Sequence, residues 1–285
     1  MRYGFVIPTG GPREVAGLAR ELEGAGWDGA FYWDGIAIGE MDTYDPWVVM
    51  AMSTERVRIG AMLTPPARRR PWKLARETMT LDHLSGGRLV LPVGLGATDD
   101  GGFSKVGEPT DRKTRARRLD ESLEILTGLW SGEPFSYAGE HYRFEEMTFR
   151  PPTLQRPRVP IWVVGAWPSE RSINRALRYD GVLAATAGGG AGSPGVTPET
   201  IRGIKEYAER NGRGDVDIVW EGQTPGEDPE AAASIVRPYA EAGATWWIES
   251  PWTPPNAPED LRRRIRQGPP RVDQRLRDSM TTPES

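Results

Sequence analysis

Cysteine is absent from this 285-residue chain, and histidine occurs twice, at His83 and His141. Neither a disulfide, nor a thiolate ligand, nor a conventional zinc site fits that inventory. Redox chemistry would have to come from a borrowed organic cofactor. A dominant sign of charge is missing too: 36 basic residues interleave with 40 acidic ones for a formal net charge of −4. That balance gives no sustained basic face for a phosphate backbone and sets nucleic acid aside as a partner. There is also no apolar stretch of the length a signal peptide or a membrane span requires. The expectation is a cytoplasmic protein with no membrane partner and no bound metal.

What the chain has instead is a cadence. Short apolar runs at Tyr3–Ile7, Gly29–Trp33, Val57–Leu63 and Leu89–Val93 each end in a polar or glycine-rich tip, and each precedes a segment with helical spacing. The cadence resumes at Ile161–Gly165, Gly181–Ala185, Val216–Trp220 and Thr245–Ile248, with helices expected near 169–179, 198–211, 229–242 and 258–267. Eight strand-loop-helix units in a chain with 38% hydrophobic residues predict one α/β domain over residues 1–285, a (β/α)8 TIM barrel. Residues 131–158 break the rhythm after the fourth unit. Phe135–Ala138 and His141–Phe144 flank Gly139-Glu140 like a hairpin, and a proline-rich stretch follows, so this segment reads as an insertion beside the barrel mouth. Residues 268–285 read as a C-terminal tail, and Gly188–Gly192 as the most flexible loop.

In such a barrel the chemistry belongs at the C-terminal strand tips. Here the tips are Thr9, Trp33–Asp34, Thr64, Gly94–Gly96, Gly165–Trp167, Thr186, Glu221 and Glu249. Gly94 and Gly96 let backbone approach a planar ring or a phosphate; a tight turn is the alternative. Gly165, Ala166, Trp167, Pro168 and Ser169 leave a strand and enter a helix, with Arg171 close behind, an arrangement that suits a phosphate or a plain helix cap. Asp34 is placed to bind a ligand, orient a base or cap a turn. The run Arg68–Arg70 reads as an anion attractor or a solvated face. His83 reads as a dipole contact at a helix end and His141 as a surface hairpin residue. Trp33, Trp167, Trp220, Trp246 and Trp247 fall near strand ends, where they would wall an aromatic pocket or pack the core.

These residues carry a resemblance. The blocks Arg-Arg-Arg-Pro-Trp-Lys-Leu-Ala-Arg-Glu, Leu-Asp-His-Leu-Ser-Gly-Gly-Arg and Val-Gly-Leu-Gly within residues 64–96 resemble the luciferase-like flavin-dependent oxidoreductases. Arg118-Leu119-Asp120-Glu121, Gly132-Glu133-Pro134-Phe135, Pro160–Gly165 and Asp180-Gly181 agree with it. The likeness runs in order through residues 3–185 and thins beyond 190. It implies a barrel that binds FMN or a 5-deazaflavin coenzyme across the strand tips. Leu63, Thr64, Gly94, Gly96 and Ala97 would contact the ring system, often beside a strained peptide bond. Gly165, Ala166, Trp167, Pro168 and Ser169 would approach the phosphate, and Trp33 and Asp34 the reacting face. The chain departs from the family at two places. Gly35 follows Asp34 where many members carry a histidine that donates a proton, which passes acid–base work to Asp34, Glu221, Glu249 or the substrate. Pro92 interrupts the fourth strand where relatives carry glycine.

The resemblance implies a monooxygenase that uses reduced FMN from a separate flavin reductase, with oxygen, on a small organic substrate, closed off by the insertion and the 97–110 loop. The alternative on the same scaffold is a 5-deazaflavin-dependent dehydrogenase or reductase. Pairing as a homodimer is common in the family. From another class, Asp34, Glu221 and Glu249 at three tips could serve a glycosidase, whose carboxyls stand roughly 5 to 9.5 Å apart. A flavin-binding protein without catalysis is a further alternative. The reading requires Trp33, Thr64, Gly96 and Gly165 to gather around one cavity.

Overall fold

A computed structural model describes residues 1–36, 45–98, 101–187 and 195–272. The glycine loop at 188–192, part of the 97–110 loop and the tail beyond 272 lie outside the described residues. Eight parallel strands form one sheet: β1 (Arg2–Val6), β2 (Gly29–Tyr32), β3 (Arg58–Ala61), β4 (Leu91–Val93), β7 (Ile161–Trp167), β8 (Gly181–Thr186), β9 (Asp217–Gly222) and β10 (Trp246–Glu249). Their order is β3-β2-β1-β10-β9-β8-β7-β4, and the bridges Ile59↔Leu89 and Thr64↔Val93 join the two edges. The sheet is therefore a nearly closed barrel.

The incomplete seam has a cause in the sequence. Pro92 has no N–H to give to β3, so between Val90 N–H donating to the Ile59 carbonyl and Thr64 N–H donating to the Pro92 carbonyl one rung is missing. Gly60 accommodates the proline: a Cβ there would sit 2.6 Å from the Val90 carbonyl oxygen and 3.2 Å from Pro92 Cδ.

Each strand is followed by a helix with a legible start. Pro12 opens α1 (Pro12–Gly24), where Glu14 accepts from the Gly11 N–H, and Val15, Leu18, Ala19 and Leu22 turn inward. Proline also opens α3 (Pro71–Leu84), whose buried face includes Leu74, Ala75, Thr78 and Met79. Between them lies α2 (Trp47–Ser53). Asp111 caps α4 (Arg112–Trp130) by accepting from Thr114 N–H at 2.8 Å. The short α5 (Glu170–Ala176) follows β7, Thr197 caps α6 (Pro198–Arg210), Asp228 caps α7 (Pro229–Glu241), and α8 (Pro258–Arg266) completes the ring.

Inside the barrel, Phe31, Trp162 and Trp246 interlock with centroids 5.2 to 6.3 Å apart. They fit because small residues face them: a Cβ at Gly181 would come within 2.3 Å of Trp162, and one at Gly29 or Gly4 within 2.6 Å of Phe31. Each ring removed from water contributes about 2 to 3 kcal/mol, so this plug anchors the bottom of the barrel. Trp246 is therefore core, not a pocket wall.

The hairpin of β5 (Phe135–Ala138) and β6 (Arg143–Met147) rests on the helices flanking the barrel. Glu121 of α4 accepts from the N–H groups of Glu140, His141 and Tyr142, Tyr137 donates to Glu124, and Trp72 of α3 meets Tyr142 and Phe144 edge-on. His83 lies 2.8 Å from the Pro152 carbonyl, tying α3 to the segment after the hairpin rather than only facing a helix end.

Candidate active site

The inner cluster of the barrel is topped by two half-buried side chains, Leu63 and Val164, which pack on it from the tips of β3 and β7. Gly94, just past β4, lies against both: a Cβ there would meet Leu63 Cδ2 and Val164 Cγ2 at 2.8 Å. The three form an apolar platform at the centre of the mouth. Met62 and Leu63 are joined by a cis peptide bond and both pack with the inner cluster, where strict alternation would turn one outward. Next to them the hydroxyl of fully buried Thr64 has no hydrogen-bond partner among the described residues. A buried, unpaired hydroxyl beside an apolar floor suits a flat heteroaromatic ring with polar edge atoms.

The rim beside β4 is rigid. Gly96 takes the left-handed conformation at φ 76°, and a Cβ would strike Pro65 and Phe103 at 2.7 and 2.9 Å, so only glycine serves there. Arg115, at the start of α4, donates one guanidinium N–H pair to the carbonyls of Leu95 (2.9 Å) and Gly96 (2.7 Å). Phe103 is fully buried under two guanidinium groups, Arg115 at 5.1 Å and Arg68 at 5.5 Å from its ring centre. Ala97 is exposed just beyond.

Arg68 and Arg69 correct the solvated-face reading of the arginine run. The Arg68 side chain is 2% exposed and donates to both the carbonyl and the carboxylate of Asp34, while Arg69 reaches the same carboxylate at 2.9 Å and Glu77 at 2.6 Å. Arg70 alone of the three is exposed. Asp34 thus spends its oxygens on two guanidiniums and fixes the rim. Trp33, half-buried and turned inward by alternation from Phe31, donates from Nε1 to the Pro8 carbonyl at 2.7 Å. A Cβ on Gly35 would lie 2.2 Å from its ring. The indole occupies the space a side chain at 35 would need, which accounts for the glycine at this position.

The two glutamates part company. In β9, Val219 belongs to the inner cluster and Trp220 to the outer one, so Glu221 faces the barrel interior, level with inward Ile248 of β10. Its Oε2 accepts from Ser250 Oγ and Trp252 Nε1, both at 3.0 Å. Burial pushes the carboxyl up to about 7, against the lowering effect of the two donors. Glu249 faces the helices. It accepts from Thr224 N (2.7 Å), Thr224 Oγ1 (2.8 Å) and Trp247 Nε1 (3.2 Å), with Arg264 of α8 at 3.3 Å. Glu221 and Glu249 therefore do not form a glycosidase pair, since these two carboxyls lie on opposite faces of the sheet.

Other expected site residues also divide by face. Ala166 is inward and nearly buried, its N–H held by Ser172 Oγ at 2.9 Å. Gly165 is turned outward: a Cβ would meet Val182 at 2.5 Å and Ile173 of α5 at 2.9 Å, so its missing side chain serves helix packing rather than a ligand. Trp167 packs on Gly203 and Tyr207 of α6, Trp220 stacks on Tyr239, and Trp247 meets Tyr239 at 5.7 Å, all outside the barrel. Ser169 and Arg171 are exposed beyond the β7 tip. Of the four residues expected around one cavity, Thr64 and Gly96 share the β3–β4 side, Trp33 joins them through the neighbouring β2 tip, and Gly165 does not. Ser250, Trp252, Phe103 and Arg115 were not anticipated; the Ser-Pro-Trp directly after the β10 tip was the one sequence signal for the first two.

The chain matches the luciferase-like monooxygenase family over residues 1–282. It belongs to that family. Among individual members, the F420-dependent glucose-6-phosphate dehydrogenase of Nakamurella multipartita is 31% identical over 75% of this chain, which spans 63% of that protein's length. The FMNH(2)-dependent dimethylsulfone monooxygenase of Pseudomonas putida is 33% identical over 40% of this chain and 31% of its own length. In three dimensions, the coenzyme F420-dependent tetrahydromethanopterin reductase of Methanopyrus kandleri superposes with a TM-score of 0.74 at 18% identity, over 93% of this chain and 96% of its own. Luciferase-like enzymes of both cofactor types are thus represented, and the barrel is the fold they share. No described helix is long and apolar enough to cross a membrane.

Proposed function

We propose that this luciferase-like oxidoreductase exchanges a hydride between the 5-deazaflavin coenzyme F420 and a small alcohol or carbonyl compound. The observation that carries the reading is the platform of Leu63, Gly94 and Val164 with the unpaired Thr64 hydroxyl beside it. Aliphatic groups bear a flat ring and keep water from its face, and the hydroxyl offers the polar contact a ring edge requires. Leu95 and Gly96, held by Arg115, close one edge, and Trp33 walls the side toward β1 and β2. Ala166 and the turn to Ser169, with Arg171 beyond, are the proposed approach for the phosphate end. The coenzyme, when bound, supplies the hydride acceptor or donor; the chain supplies position, dryness and proton exchange.

The choice of deazaflavin is favoured by extent of similarity, since the F420-dependent relative aligns with 75% of the chain and the FMNH(2)-dependent one with 40%. That second relative is also what supports the second reading, a monooxygenase fed with reduced FMN by a separate reductase. Fluorescence titration of the purified protein with F420 and FMN, each oxidised and reduced, separates them. Saturation by the deazaflavin at about micromolar concentration, with FMN at least tenfold weaker, is expected. The reverse order would favour the monooxygenase, and binding of neither would refute both.

A further inference from the structure

With the histidine position filled by the Trp33 ring and Asp34 committed to two arginines, the proton of an alcohol–carbonyl interconversion needs another partner. Glu221 is 5% exposed, it faces the barrel interior at the β9 tip, and one of its two oxygens is satisfied twice over by Ser250 and Trp252. The other oxygen, Oε1, accepts no hydrogen bond among the described residues. Among the described residues no cation balances the carboxyl. Neighbouring β8 carries no titratable residue, the Ser250–Trp252 segment carries no charge, and the one carboxylate of β10, Glu249, lies on the opposite face with Arg264. A buried carboxyl with one free oxygen and no counter-charge is expensive as a purely structural element, and Gln223 and the Gly222 carbonyl already hold the Ser250 backbone without it.

We propose that Glu221 is the proton-exchanging catalytic residue, its Oε1 taking the hydroxyl proton of a small alcohol while Ser250 and Trp252 hold Oε2. This rests on the hydride-transfer reading above. The balance is complete. The carbinol C–H pair of electrons leaves as hydride to the oxidised coenzyme, the O–H proton passes to the Glu221 carboxylate, and the substrate is released as the carbonyl compound. In the reverse direction the carboxylic acid returns the proton to the carbonyl oxygen. A carboxyl that titrates near neutrality serves both directions.

The test pairs Glu221→Gln, which keeps an acceptor for Ser250 and Trp252 but cannot ionise, with Ser250→Ala. In the coenzyme-free protein, infrared difference spectra should contain a carboxylic-acid C=O band that vanishes as the pH rises through neutrality and is missing from Glu221→Gln. Carbodiimide with glycine ethyl ester should label Glu221, read by mass spectrometry, and bound F420 should protect it. With 2-propanol and glucose 6-phosphate as first substrates, kcat should fall at least 100-fold in Glu221→Gln and its neutral pH limb disappear, while F420 still binds. Ser250→Ala should move the infrared midpoint upward by about one pH unit, because a donor to the carboxylate is lost. A band absent from the wild type, or a midpoint unmoved by Ser250→Ala, overturns the assignment whatever the coenzyme. Wild-type affinity together with wild-type kcat in Glu221→Gln overturns it and leaves the hydride-transfer reading standing. Failure of the wild type to bind F420 removes both.

Discussion

Replacing Glu221 with glutamine should change how stability depends on pH, and the size of the change follows from the structure. An ordinary glutamate titrates at 4.5 in the unfolded chain, whereas in the fold burial raises this carboxyl to about 7. Below about pH 4.5 both states carry the proton and the group costs nothing. Between the two values the unfolded chain has released its proton and the folded one has not, so folding takes up a proton and stability falls with rising pH by about 1.4 kcal/mol per pH unit. Above about pH 7 both states are ionised and the loss is complete, at roughly 3 kcal/mol. Glutamine has no such dependence. Urea denaturation of the two proteins, followed by tryptophan fluorescence across this range and extrapolated linearly, should therefore show the wild type losing roughly 3 kcal/mol relative to the variant from acid to neutral pH. A difference that stays constant within about 0.5 kcal/mol would refute the claim that the carboxyl is buried without a counter-charge.

Other substitutions probe the same geometry. Gly35→Ala should cost about 2 kcal/mol by displacing the Trp33 ring, and close to nothing in a Trp33→Ala background; denaturation of the four proteins of this cycle gives the coupling directly. Glu249→Gln should destabilise by roughly 2 to 4 kcal/mol, because it weakens the ties to Arg264, Thr224 and Trp247, yet leave the shape of the kcat–pH profile intact. Gly165→Ala should lower stability by about 1 to 3 kcal/mol through crowding of Val182 and Ile173, with coenzyme affinity by fluorescence titration changed less than twofold.

The strands were legible because glycine, proline and polar residues punctuate apolar runs, and the helix expected near 198–211 is observed at Pro198–Arg210. What a run such as Ile161–Trp167 hides is its phase. A parallel strand buried on both faces is apolar throughout, so nothing local says that Ala166 looks inward while Gly165 and Trp167 look out. For the same reason Glu221 and Glu249, each at a strand tip, read as equivalents, although the register sets Glu221 beside Ile248 and turns Glu249 toward α8. The arginine run misled differently. Its partner, Asp34, is more than thirty residues away in the chain, a separation at which local charge patterning carries no information. Pro92 was read as interrupting the fourth strand; it does cost one rung of the ladder, and Gly60, on the next strand, leaves room for its ring.

One arrangement has implications for how this barrel can change. Asp34, Arg68, Phe103, Arg115 and the Gly96 carbonyl touch in succession, from the tip of the second strand to that of the fourth. Each of these contacts leans on the next, so a replacement at one of them removes a support of its neighbour. Divergence toward new substrates therefore has its freest ground across the opening, in the loops after the seventh and eighth barrel strands beyond Ser250 and Trp252, where replacements can reshape the entrance while the two donors to Glu221 stay in place.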